Sequence, residues 1–313
     1  MSAISRIAVV GSINMDCVLK VPRLPVSGET LIGEEYQLFP GGKGANQAVG
    51  AVRLGAEVAM IGCVGDDPAG SQLREGLANE GVSTTHVRSV AGMTSGMAMI
   101  TLTGTGQNTI VLAPGANMHV SREQVNAARE ILESCDVLLL QLEIPVEIVE
   151  LSAGIAGNGP CRVILNPAPA RDIGSEVLEL ADYLVPNEVE AAILTGHEVK
   201  DETSAERAAR VLQNMSNGAV IAMTLGGRGA LLLGNEKRPV WVPAPTVDVV
   251  DTTAAGDAFV AGMAVALAEG GLDAEAVRWG CAAGALAVTK LGAQPSLPTR
   301  EDIQKLLVRS PAS

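Results

Sequence analysis

Short runs that are apolar at nearly every position alternate along this chain with longer segments whose apolar residues recur every three or four positions. The short runs are RIAVVG (6–11), EVAMIG (57–62), DVLLLQL (136–142), CRVILNP (161–167), DYLVPN (182–187) and VIAMTLG (220–226). Their length and unbroken hydrophobicity predict strands buried on both faces, as in a parallel sheet. Between them, ANQAVGAVRLG (45–55), AGSQLREGLANEG (69–81), SREQVNAAREILESC (121–135) and SAERAARVLQNMSNG (204–218) fit the 3.6-residue period of helices. The alternation predicts an α/β chain of βαβ units, with a mostly parallel, Rossmann-like central sheet flanked by helices.

Two segments break the rhythm. VPRLPVSGETLIGEEYQLFP (21–40) and TSGMAMITLTGTGQNTIVLAPGAN (94–117) alternate only partly, and the second carries a glycine-rich turn, GTGQN (104–108), between two strand-like runs. Both read as hairpins outside the main sheet. They predict a small β-sheet lid beside a cleft, built from about residues 17–40 and 94–113. No internal repeat, low-complexity stretch or linker divides residues 1–313, so a single domain is expected.

Composition narrows the picture. With 313 residues, 47% hydrophobic and 18% charged, the chain can bury a large core. A net charge of -13 disfavours nucleic acid and anionic membranes as partners. The opening MSAISRIAVVGSINMD has too short an apolar run for a signal segment, and no stretch approaches the roughly 18 apolar residues of a membrane span. Cysteines 17, 63, 135, 161 and 281 are odd in number and widely separated, as expected of reduced core residues in a cytoplasmic protein. Histidines 86, 119 and 197 stand singly, so no zinc site is expected.

Ligands of open α/β sheets bind where strands end, which directs attention to the residues just after each strand. After the first come Asn14 and Asp16, spaced to put an amide and a carboxylate on one side of an extended stretch facing a polyol; capping of a turn is the other use of such residues. FPGGKGANQAVGAVRLG (39–55) lacks the spacing of a P-loop, but Gly41, Gly42 and Gly44 permit close approach to a helix start beside Lys43 and Asn46. Glu143 ends an apolar run, where a carboxylate is costly unless exposed or used. Asn187 and Glu190 share one face of a starting helix, suited to a hydrated magnesium ion or simply to the helix dipole. Thr224-Leu225-Gly226-Gly227-Arg228-Gly229 follows a strand but precedes no helix, which argues against a dinucleotide fingerprint.

The stretch DVVDTTAAGDAFVAG (248–262) is the most pointed. Ala254, Ala255 and Gly256 have almost no side chain, so backbone N–H groups in the first turn of a helix can meet a phosphate unobstructed. Asp257, in the same turn, is placed to take a proton from an attacking hydroxyl. The plain alternative is an acid that favours the start of an alanine-rich helix.

Taken in order, GSINMD, GGKGANQAV, VGDDPAG, LQLE, NPAPAR, PNEVEA, TLGGRG, DTTAAGDAF and KLGAQPS make the chain resemble the ribokinase (PfkB) family of carbohydrate kinases from about Arg6 to about Leu307. The resemblance implies an α/β domain whose β lid also clasps a second copy in a homodimer. It implies sugar hydroxyls held by Asn14, Asp16, Gly42, Lys43, Asn46, Glu143 and Asp257, with Ala98, Ile100 and Leu112 as an apolar wall. Nucleotide contacts would fall to Asn187, Glu190, Thr224, Gly226, Gly227, Gly229, Gly256 and Cys281, with Mg²⁺ organised by Glu190 through water. An activating K⁺ would sit near Asp251, Thr253, Ala287, Lys290, Gly292 and Ser296. Gly227 and Cys281 stand where one member of the family has a serine and, near the adenine, a histidine.

The implied reaction is transfer of the γ-phosphoryl group of ATP to the 5-hydroxyl of D-ribose, with Asp257 as base and Ala254 to Asp257 as anion hole. Kinases of 2-deoxyribose, fructose or a nucleoside share the pattern, and a non-catalytic sugar or nucleotide sensor is the rival outside enzymes.

Overall fold

The computed structural model of the chain describes residues 4–309 other than 105, 106, 172 and 237; the tip of the expected 104–108 turn, at 105 and 106, therefore lies outside the described residues. In chain order the strands begin with β1 (Arg6–Val10), β2 (Asn14–Val21), β3 (Tyr36–Gly41), β4 (Glu57–Gly65), β5 (Ser83–Val90), β6 (Gly96–Thr103) and β7 (Asn108–Ala113). They continue with β8 (Val137–Leu140), β9 (Arg162–Leu165), β10 (Tyr183–Leu184), β11 (Val220–Thr224), β12 (Ala230–Leu233) and β13 (Pro239–Val242). The helices are α1 (Lys43–Arg53), α2 (Pro68–Asn79), α3 (Arg122–Ala127), α4 (Arg129–Ser134), α5 (Val146–Ala156) and α6 (Ser175–Leu178). After them come α7 (Glu188–Thr195), α8 (Glu202–Met215), α9 (Ala255–Ala268), α10 (Asp273–Ala287) and α11 (Arg300–Arg309).

Every apolar run becomes a strand of one nine-stranded sheet in the order β13-β12-β11-β10-β9-β8-β1-β4-β5. Pairing is parallel from β5 to β11 and antiparallel at β12 and β13. Neighbouring side chains of one strand point to opposite faces. Ile7 and Val9 of β1 therefore join the core beneath α1, α9 and α10, while Ala8 and Val10 join the core beneath α5 and α8. Burial on both faces explains the unbroken hydrophobicity of these runs. Three strands have no counterpart among the predicted runs: β12, which is short and buried throughout, and the edges β5 and β13, whose half-exposed residues carry no such signature.

A second sheet, in the order β3-β2-β6-β7, stands apart. The 94–117 segment forms the expected hairpin, β6 with β7. The 21–40 segment does not fold back on itself; only its end becomes β3, and its partner is β2, which starts at Asn14 rather than near 17. Pro22 and Pro25, which lack a donor for a ladder, leave the stretch between them irregular. β2 and β6 pair in parallel across a long stretch of chain. The predicted 121–135 helix is two helices that step at Ala128 (φ −96°, ψ 9°), a position with neither glycine nor proline to announce it.

α9 is apolar almost all round and is buried from Asp257 to Leu267 against α1 and α10. Close approach of α9 and α10 depends on small residues. A Cβ added at Gly280 would lie 2.9 Å from the Phe259 carbonyl oxygen and from its ring. No helix among the described residues is long and apolar enough to cross a membrane.

Alanine in place of glycine inside a helix ordinarily stabilises by about 1 kcal/mol. At position 280 the overlap with a backbone carbonyl reverses the sign. Gly280→Ala is expected to destabilise the protein by about 1 to 3 kcal/mol in urea unfolding, and a stabilised variant would show that the two helices have room to separate.

Candidate active site

The strands of the large sheet end at one level. Gly11, Gln141, Asn166, Asn187 and Thr224 follow or close β1, β8, β9, β10 and β11, and α9 begins opposite them. Between lies a cavity of about 200 Å³ lined by Lys43, Asn166, Asn187, Glu190, Thr224 and the 254–257 turn, among others.

The start of α9 is set by Asp251. Its Oδ1 accepts from the Thr253 amide (2.9 Å) and hydroxyl (2.7 Å), and its Oδ2 accepts from the Gly292 amide (2.9 Å). Held this way, the chain turns at Ala254 in the left-handed conformation (φ 58°, ψ 10°), uncommon for a residue with a Cβ. The Ala255 amide is taken by the Thr252 carbonyl at 3.3 Å. The amides of Gly256 and Asp257 lie in the first turn, where a helix supplies no acceptor. A Cβ at Gly256 would meet nothing within 4 Å, so this glycine borders open space.

Asp257 is 6% exposed, and both its oxygens are held by amides of α1. Asn46 Nδ2 donates to Oδ2 at 2.9 Å and Gln47 Nε2 donates to Oδ1 at 3.1 Å. Gln47 Nε2 also reaches Asn166 Oδ1 (3.3 Å), and Gln47 Oε1 accepts from Gln141 Nε2 (2.6 Å). A carboxylate can only accept, so the Asn46 amide nitrogen must face Asp257, and Asn46 Oδ1 is left buried without a partner. Such an acceptor is costly unless a ligand donates to it.

A second group surrounds Glu143. Its Oε2 accepts from the Ser12 hydroxyl (2.5 Å), Asn14 Nδ2 (3.3 Å) and the Lys43 amide (3.4 Å). Asn14 Oδ1 accepts in turn from Asn117 Nδ2 at 2.7 Å. Gly42 takes a positive φ of 90°, and a Cβ there would lie 2.7 Å from the Asn14 amide nitrogen. At Gly41 a Cβ would strike the carboxylate of Asp16. These glycines leave room for the polar side chains of β2.

Asp16 sits opposite Ala98, and Ala98 opposite Leu112; one step along, Val18 faces Ile100. The inward row of the small sheet thus joins Asp16 to the expected apolar wall. Between this row and the loop carrying Asp251, Thr253 and Gly292 lies a smaller space of about 40 Å³.

Charge dominates the region. Burial, then the nearby Glu143 and Asp257, push the Asp16 carboxyl up to about 7. Burial also raises Glu190. Burial pulls Lys43 down, but Asp257, Glu143, Glu190 and Asp16 together outweigh it and hold the ammonium above its ordinary value. Asn187 and Glu190 form a capping box, each side chain bonding the other's backbone N–H at 2.8 Å, which accounts for their spacing. Glu190 Oε2 is used in this way, and the carboxylate lines the cavity. Among the described residues no group of three or more histidines, cysteines or acids could hold a metal ion. A hydrated cation needing few protein ligands fits the Glu190 corner.

Other expected residues lie at greater remove. Gly226 and Gly227 form an open turn after β11 where an added Cβ meets nothing, while a Cβ at Gly229 would strike the Val242 carbonyl. Cys281 is not brought to the cavity: it is buried in α10 with its thiol toward the Val242 carbonyl at 3.7 Å. The Ala287 carbonyl accepts from the Lys290 amide (3.3 Å), and the Ser296 hydroxyl donates to the Ala293 carbonyl (2.8 Å). Ser12, Gln47, Asn117, Gln141 and Asn166 belong to the site's networks without having been singled out in the sequence.

A family model described as pfkB family carbohydrate kinase matches residues 5–300. Ribokinase from Haemophilus influenzae is 46% identical over 301 residues, covering 96% of this chain and 98% of that one. Ribokinase from Bacillus subtilis is 40% identical over 301 residues, covering 96% and 99%. The solved structure of Arabidopsis thaliana ribokinase complexed with ribose and ATP is similar with a TM-score of 0.88 at 35% identity, covering 97% of this chain and 99% of that one.

The Asp16 shift carries a prediction for stability. Its pKa in the fold lies above the ordinary carboxyl value of 3.8, so the bound proton stabilises the fold fully below that value, and this contribution is lost as pH rises through about 7. Asp16→Asn should therefore gain stability relative to the parent as pH rises, by about 2 kcal/mol between pH 5.5 and 8.5. Thermal melts of both proteins at the two pH values read this directly; a difference that does not change with pH would remove Asp16 as the titrating group.

Proposed function

The chain belongs to the pfkB family of carbohydrate kinases, and on that premise we propose that it transfers the γ-phosphoryl group of ATP to the 5-hydroxyl of D-ribose, giving ribose 5-phosphate and ADP. The observation that carries this reading is Asp257, a buried carboxylate oriented through both oxygens and set in the same helical turn as the free amides of Gly256 and itself. The carboxylate is the base that takes the hydroxyl proton, and the amides face the charge that develops on the transferred phosphoryl oxygens.

Sugar recognition falls to Asn14, Asp16, Gly42, Lys43, Asn46 and Glu143. The unpartnered Asn46 Oδ1 supports this assignment, because a sugar hydroxyl can supply the donor it lacks. Ala98, Ile100 and Leu112 cover the apolar side of the ring, and the small sheet acts as a lid that keeps water from the phosphoryl group. Asn187, Thr224 and the open Gly226-Gly227 turn receive the nucleotide, with Gly229 shaping that turn; Cys281 is left to the core. With Glu190, Asp257 and Glu143 around one lysine, the pocket would repel a bare triphosphate. Mg²⁺ accompanying ATP, held through water by Glu190, would offset phosphate charge.

A monovalent cation, K⁺ by family resemblance, belongs beside Asp251, Thr253, Ala287, Lys290, Gly292 and Ser296, held largely by backbone oxygens. Asp251 links that loop to the Ala254 turn, so ordering one orders the other. The outward row of the small sheet supports a homodimer. Leu38, Met99 and Val111 are 49%, 50% and 69% exposed and lie in register across β3, β6 and β7. The reaction is assigned to the cytoplasm, where ATP is supplied.

ADP release with Mg-ATP and a panel of D-ribose, 2-deoxyribose, fructose and adenosine, in K⁺ and in Na⁺, tests the reading. Ribose is expected to lead and K⁺ to raise the rate; turnover of another acceptor ahead of ribose would reassign the Asn14 and Asp16 pocket, and binding of ribose with no ADP would make the chain a sensor. Asp257→Asn should retain ribose binding and lose at least about 10²-fold in kcat. Sedimentation should give a dimer that Val111→Glu converts to monomer; a monomeric parent protein would end the clasp assignment.

A further inference from the structure

Two thiols lie in contact at the end of the sheet away from the cavity. Cys135 follows α4 and stands two residues before β8, and Cys161 immediately precedes β9. β8 and β9 pair in parallel with Val137 opposite Arg162, which brings the two strand entries side by side. The sulfurs are hydrogen-bonded at 2.7 Å although 26 positions separate them in sequence. Both residues are buried, at 2% and 6% exposure. Each sulfur also has a backbone carbonyl nearby, Leu132 for Cys135 (3.4 Å) and Arg162 for Cys161 (3.9 Å), whereas among the described residues Cys63 and Cys281 bond only to oxygens, Gln124 Oε1 and the Val242 carbonyl, and to no second thiol.

A cavity borders one member of this pair. Its volume is about 230 Å³; it is lined by Arg6, Glu57, Ser83, Ile131 and Cys135, among others, and is distinct from the cavity at the strand ends. Cys161 is not among its lining residues, so an entering molecule meets Cys135 first. We propose that Cys135 and Cys161 form an oxidation site, at which a small hydroperoxide entering this cavity converts the two thiols to a disulfide that a dithiol can reduce again.

The chemistry divides between the two sulfurs. Cys135 is the attacking group, because the hydrogen bond from Cys161 favours its thiolate against the opposing effect of burial. The thiolate attacks one peroxide oxygen, the O–O bond breaks, and the departing alkoxide or hydroxide takes a proton. Cys135 is then a sulfenic acid. The Cys161 thiol is held protonated chiefly by its bond to Cys135 and by burial. Conversion of Cys135 to a neutral sulfenic acid removes the first of these. The Cys161 sulfur then attacks the Cys135 sulfur, the S–S bond forms, the S–O bond breaks, and hydroxide leaves as water with the Cys161 proton. In sum, two thiols and one hydroperoxide give one disulfide, one alcohol (or water) and one water.

The test uses the full chain and hydrogen peroxide. Tryptic peptide 130–162 contains both cysteines and no internal lysine or arginine. After oxidation and alkylation without reduction, it should lack two hydrogens and carry no label, and cutting at its glutamates should leave two pieces joined until dithiothreitol is added. In Cys161→Ser, dimedone should trap a sulfenic acid at Cys135; in Cys135→Ser, Cys161 should stay alkylatable. A parent peptide still doubly alkylated under conditions that oxidise Cys17 would overturn the proposal, as would joining of either cysteine to a different partner. The parent digest decides the matter alone if either serine variant fails to fold.

Discussion

A carboxylate taken out of water must be surrounded by donors, and Asp257 imposes that requirement on the centre of this molecule. Its two donors are consecutive residues of α1, Asn46 and Gln47, so the start of α9 is fixed against α1 rather than only resting on it. Gln47 is fixed in turn by Gln141 after β8 and Asn166 after β9. Three other parts of the chain thereby converge, directly or through Gln47, on this one side chain. The packing that surrounds it, including the close contact of α9 with α10 through Gly280, keeps this convergence rigid.

A second layer of control lies in charge. Four carboxyls, Asp16, Glu143, Glu190 and Asp257, act on the single ammonium of Lys43. A bare anion would be repelled there, and a neutral hydroxyl group would not. Asp16 answers the crowding by holding its proton toward neutrality, and Glu143 by accepting from Ser12, Asn14 and the Lys43 amide. Membership of a carbohydrate kinase family is consistent with both features.

Much of this was legible in the sequence. Strands buried on two faces announce themselves by unbroken hydrophobicity, and β1, β4, β8, β9, β10 and β11 were read from it. The AAGD turn was legible as the start of a helix, because residues with almost no side chain followed by an acid suit a first helical turn. The edges β5 and β13 were not, since half-exposed strands look like loops. Gln47, Gln141, Asn166 and Asn117 were missed for a different reason. Each sits within or next to an apolar run, and its partners come from distant parts of the chain, so no local spacing reveals it. The contact of Cys135 with Cys161 is of the same kind, created by the β8–β9 register and invisible to cysteine spacing.

The parallel pairing of β2 with β6 sets the order in which this protein can assemble. Asn14 lies opposite Gly96, and between them the chain lays down the rest of β2, then β3, α1, β4, α2 and β5. Closing so long a loop for one strand pair is entropically unfavourable unless the intervening βαβ units have already brought its ends together. The small sheet is therefore a late product of folding, and Asp16 meets Ala98 only after the large sheet and α1, which carries Asp257's partners, have come together.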